Sequence, residues 1–68
     1  MERILYNTKT GHAIGRIWCI RSLSIEDCIV VLGGHIITDS NDPDFDAEYG
    51  NVVMPSGRRF RYEDLEVR

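Results

Sequence analysis

Turn-forming residues interrupt this chain so often that only short elements fit between them. Asn7-Thr8-Lys9-Thr10-Gly11, Gly33-Gly34, Asp39–Gly50 and Pro55-Ser56-Gly57 are all turn or loop signals. The runs left between them are Arg3–Tyr6, His12–Arg21, Cys28–Leu32, His35–Thr38, Asn51–Met54 and Arg59–Tyr62. Short runs rich in Ile, Val and aromatic residues between closely spaced turns predict strands. The expected class is mostly β, with five or six short antiparallel strands in one domain over residues 1–68.

Within His12–Arg21, strict alternation places Ile14, Trp18 and Ile20 on one face, interrupted by Arg16, and Ile17 and Cys19 on the other. The stretch from Ser24 to Leu32 reads two ways. Ser24 could cap a short helix with Glu26 and Asp27 in its first turn and Gly33 at its end. The β-branched run Ile29-Val30-Val31 instead favours a loop at Ser22–Asp27 and a strand at Cys28–Leu32. Gly33-Gly34 is then the tight turn of a hairpin into His35–Thr38. Pro55-Ser56-Gly57 joins Asn51–Met54 to an antiparallel partner at Arg59–Tyr62. Tyr62-Glu63-Asp64-Leu65 predicts a single helical turn before a last strand at Glu66–Arg68. The expected core is Ile4, Ile14, Ile17, Trp18, Ile29, Val31, Ile36, Val52 and Phe60.

A bent meander, one long loop at Asp39–Gly50, and a helical turn at Tyr62–Leu65 before the final strand together make a pattern that resembles the SH3-like small barrels. The resemblance implies a barrel architecture. It implies no activity, because such barrels host unrelated functions.

Eight Lys and Arg stand against eleven Asp and Glu, a net charge of -3. That balance argues against a general nucleic-acid coat protein, which needs clustered positive charge. No stretch approaches the roughly 20 apolar residues of a membrane span. Met1–Tyr6 has no apolar core of a signal peptide, so a mature cytoplasmic chain is expected. Cys19 and Cys28 are the only cysteines. In a hairpin they would face each other, but reduced, buried thiols fit a reducing compartment better. With His12 and His35 they make a Cys₂His₂ set that lacks the spacing of zinc sites. No nucleophile–base signature and no phosphate-binding glycine loop is present, so neither enzymatic activity nor a cofactor is expected.

Two charged constellations remain. Asp39, Asp42, Asp44, Asp46 and Glu48 gather in one loop around Phe45 and Tyr49. The alternation begins like an EF-hand, but Ala47 and Val53 occupy the positions that need Gly and Glu, so a calcium loop is a poor match. In an extended segment the acids would line one edge and Phe45 the other. Asp39, Asp42, Asp44, Phe45, Asp46, Glu48 and Tyr49 are therefore the candidate surface for a protein partner with a basic face. The second constellation is Arg58, Arg59 and Arg61 interleaved with Phe60 and Tyr62, an alternative surface for single-stranded nucleic acid.

The primary reading is a non-enzymatic protein-interaction module. Compact acidic chains of this kind suit inhibitors or regulators of nucleic-acid-handling machinery, phage-type accessory proteins among them. A domain this small gains only about 3–5 kcal/mol from its core, so a homodimer is also expected, through edges at the first and last strands.

Overall fold

The computed structural model describes residues 1–68. Strands β1 (Glu2–Asn7) and β2 (His12–Trp18) form an antiparallel hairpin. Helix α1 spans Ile25–Val31, followed by β3 (His35–Ile36), β4 (Val52–Val53) and β5 (Arg59–Phe60). A 3₁₀ turn at Tyr62–Asp64 leads into β6 (Leu65–Val67). The strands make two three-stranded antiparallel sheets, β2-β1-β6 and β3-β4-β5. No strand is shared between them, so the sheets are not closed into a barrel. The first strand is central, not an edge, because it pairs with both β2 and β6. One core joins the layers: Leu5, Ile17, Cys28, Ile29, Val52, Met54, Phe60 and Leu65.

The segment expected to be strand is α1, and local caps explain why. The Ser24 hydroxyl accepts from the Asp27 backbone N–H at 3.1 Å, and Glu26 and Asp27 lie in the first turn. At the other end Gly33 adopts φ 85°, open to glycine at no steric cost. Its N–H donates to the Val30 carbonyl, and that of Gly34 donates to Ile29, both at 2.9 Å. This pair of bonds is a Schellman closure. Gly33-Gly34 thus ends a helix and does not turn a hairpin. The helix buries Cys28 and Ile29 and leaves Val30 and Val31 exposed, so Val31 is not in the core. With Cys28 on α1, the cross-strand pairing with Cys19 does not exist, and both cysteines are free thiols. Ser24→Ala should lower stability by about 1 kcal/mol in chemical denaturation, while Ser24→Asp should restore it.

Trp18 is the second departure. It is 79% exposed. The cause is a bulge: Leu5 pairs with Gly15 and Tyr6 with Ala13, so Ile14 has no partner. The extra residue breaks the alternation. Ile14 packs against the core together with Ile17, which sends Arg16 and Trp18 to the opposite face. Ile17, Ile29, Val52 and Phe60 are buried as expected, whereas Ile4, Ile14 and Ile36 are only half-buried.

The second sheet follows the expected turns. Val52 pairs with Phe60 and Val53 with Arg59 across the Pro55-Ser56-Gly57 turn. His35 and Ile36 pair with Val53 and Val52. The loop from Thr38 to Asn51 is therefore anchored at both ends on the same strand pair.

Candidate functional site

The acidic loop is a succession of tight turns, not an extended segment. Backbone bonds link Asp42 N–H to the Asp39 carbonyl, Phe45 to Asp42 and Gly50 to Asp46, at 2.9–3.0 Å. Three aspartates fold these turns with their own side chains. Asp39 Oδ1 accepts from Asn41 N–H and Asp42 Oδ1 from Asp44 N–H, each at 2.9 Å. Asp46 Oδ1 accepts from both Glu48 and Tyr49, at 2.9 and 3.0 Å. Aspartate begins such turns because its short carboxylate reaches the backbone two residues on. The alternation of acids therefore does not sort them onto one edge. Folding also supplies a reason for three of the five acids, a signal already present in the Asp-x-x spacing.

The arginines of β5 and its exit brace this loop. The Arg59 guanidinium donates from Nη1 to the carbonyls of Asp44 and Gly50, at 2.7 and 3.3 Å. Arg61 donates from Nε and Nη2 to the Glu48 carbonyl, at 3.0 and 2.7 Å. Both bond the backbone and neither forms an ion pair with a carboxylate. The molecule's one ion pair is Arg68–Glu66, at 3.1 Å on the surface. Arg58 stands apart, its guanidinium 5.3 Å from the centre of the Phe60 ring. Phe60 itself is buried in the core. Tyr62 is half-buried and donates its hydroxyl to Glu26 Oε1 at 2.7 Å. The arginines and aromatics that alternate along the strand are thus divided among three separate jobs.

The result is a fixed loop whose charge projects outward. Asp39, Asp42, Asp44 and Glu48 are exposed, as is Tyr49; Phe45 and Asp46 are half-buried. The carboxylates of Asp44 and Glu48 make no hydrogen bond within the chain. No group of three or more His, Cys, Asp or Glu side chains converges to hold a metal ion. No hydrogen bond joins a serine, threonine or cysteine to His12 or His35. Burial, then the proximity of Cys19 and Asp27, pushes the Cys28 thiol up from its ordinary value.

The bonds set two titrations. The Tyr49 N–H, with that of Glu48 and the charge of Arg59, holds the Asp46 carboxyl below the usual aspartate range. The Tyr62 hydroxyl does the same to Glu26, and Tyr62 is raised in turn. A carboxyl whose folded pKa is lowered stabilises the fold above its unfolded value, and that contribution is lost as pH falls through the folded one. For Asp46 the loss should come on acidification below about 3.9, the ordinary aspartate value. Carboxyl chemical shifts followed from neutral pH downward should show Asp46 and Glu26 titrating below their free counterparts. Tyr62→Phe should raise Glu26 toward the ordinary range, the capping bonds of Ser24 and the backbone N–H still holding it down, and leave Asp46 unchanged.

Searches for known proteins add nothing to this geometry: no protein-family model, curated protein or solved structure matches the chain. No helix is long and apolar enough to cross a membrane.

Proposed function

We propose that this chain is a non-enzymatic protein-interaction module whose acidic loop docks on a basic surface of a partner protein. The observation that carries the reading is the bonding of Arg59 and Arg61. They spend their donors on loop carbonyls, so the loop is held in place while Asp44 and Glu48 keep uncompensated charge. A pre-shaped loop costs less ordering on binding than a flexible one. Its exposed charges attract a basic partner and speed encounter. Tyr49, 67% exposed beside them, offers the aromatic contact that interfaces favour. The setting we favour is a cytoplasmic inhibitor or regulator of nucleic-acid-handling machinery, whose partners carry basic surfaces for phosphate. The two sheets, with a 3₁₀ turn leading into β6 beside β1, support an opened relative of the SH3-like arrangement as its scaffold.

The test is a charge-neutral loop that keeps its turns: Asp42→Asn, Asp44→Asn and Glu48→Gln together. Asparagine retains the Oδ1 acceptor at position 42, so stability should stay within about 0.5 kcal/mol of the parent. Parent and variant, immobilised in parallel, are exposed to lysate, and the retained proteins are identified and their association rates measured. Basic proteins should be held by the parent, released by salt, and associate roughly tenfold more slowly with the variant. Equal capture by both would overturn the proposal. So would salt-sensitive binding of the parent to an oligonucleotide that is lost with Arg58→Ala.

A further inference from the structure

The edge of the first sheet shares no residue with the acidic loop. β2 is seven residues long and has a neighbour on one side only. Its phase is readable from the bonds around it. Met1 and Cys19 exchange both of their backbone bonds, at 2.8 and 2.9 Å. Ile4 does the same with Arg68 on the other side of β1, at 2.8 and 2.9 Å. Antiparallel pairs alternate between bonded and non-bonded. Ile17 therefore turns its N–H and C=O toward β1, while those of Arg16 and Trp18 turn outward with no partner. Free edges of this kind template pairing with another chain unless they are blunted. The bulge at Ile14 disrupts the early part of β2. The Arg16–Trp18 end stays regular, and the two most exposed of the large hydrophobic side chains, Trp18 at 79% and Ile20 at 99%, lie there.

We propose that a second copy of this chain pairs with the β2 edge about a two-fold axis at Ile17, setting Arg16 of each copy opposite Trp18 of the other. The register follows from charge and from the outward groups. An axis at Arg16 would put two arginines face to face, which is unfavourable. An axis at Trp18 would set Arg16 against Ile20, which has nothing to offer a guanidinium. An axis at Ile17 makes both Arg16–Trp18 pairs hydrogen-bonded ones and lays each guanidinium over an indole, the best ring for a cation. Glu2 lies beside Trp18 on β1 and has no ion pair within the chain. In this register it meets the far side of the indole that Arg16 of the second copy covers, so the charges complement across the axis. The product is a continuous six-stranded sheet with an isologous contact.

Sedimentation equilibrium from low micromolar to millimolar concentration tests this. The parent should shift from the 7.8 kDa chain mass to twice that value. Trp18→Lys places like charges opposite each other and should remain monomeric with its fold intact by circular dichroism. Arg16→Glu combined with Trp18→Lys restores opposite charges in this register alone and should recover the dimer. A monomeric parent at millimolar concentration, a Trp18→Lys variant that dimerises like the parent, or a double variant that stays monomeric would each overturn the proposal. None of these outcomes bears on the loop variant above, whose charges lie elsewhere.

Discussion

Gly50→Ala is expected to abolish cooperative folding of this domain. Gly50 is buried at the end of the acidic loop with φ 115°, a conformation that L side chains rarely adopt. A left-handed conformation alone costs roughly 1–2 kcal/mol. Space is the larger obstacle. A Cβ at this position would run into the backbone carbonyl group of Phe60 and the Arg61 nitrogen. None of these can rotate away as a side chain can, so β5 or the loop must move. Either movement breaks the Arg59 bond to the Gly50 carbonyl and disturbs the pairing of Phe60 with Val52. The combined loss should exceed about 3 kcal/mol, which is comparable to the whole stability of so small a domain. Gly57→Ala is the control. Gly57 also has positive φ, 86°, but nothing lies within 4 Å of its added Cβ. It should cost only about 1–2 kcal/mol. Urea titrations of both variants decide the matter; a Gly50→Ala protein as stable as Gly57→Ala would show that the loop and β5 are not locked together.

The second large effect is at Leu5. It is fully buried on the central strand of the first sheet and belongs to the core cluster shared by both sheets and the helix. Leu5→Ala removes apolar contacts and leaves a cavity that β1, pinned by β2 and β6, cannot collapse into. Comparable substitutions cost about 2–5 kcal/mol. Trp18→Ala, measured at low micromolar concentration to keep self-pairing out of the comparison, should change stability by less than about 0.5 kcal/mol because the indole stands in solvent. The contrast is the useful result. By size alone Trp18 should be the most costly side chain to remove, and burial reverses the order. A Trp18→Ala loss as large as that of Leu5→Ala would place the indole inside and remove the exposed edge on which self-pairing depends.

What the sequence alone determined is what local chemistry decides. The β4–β5 hairpin, the 3₁₀ turn before the last strand and the long polar loop were all legible, because proline, glycine and short polar residues act within a few positions of themselves. The signals of the helix were present too, in the Ser24 cap and Gly33 at its end, although the sequence favours the strand reading and takes Gly33-Gly34 for a hairpin turn. There the β-branched run pointed the other way, and weak strand propensity yielded to two satisfied helix ends and to the burial of Cys28 and Ile29. Trp18 and Ile14 lay beyond such reasoning. A single unpaired residue in β2 changes which face every later side chain takes, and only the match between Leu5 and Gly15 across the hairpin reveals it. The acidic loop divides in the same way. The turns begun by Asp39, Asp42 and Asp46 are local. Arg59 and Arg61 reach carbonyls 9 to 15 positions away, and their choice of carbonyl over carboxylate depends on where the folded loop carries its backbone. Tertiary structure decided that, because a guanidinium bonds whichever acceptors the fold brings within its reach.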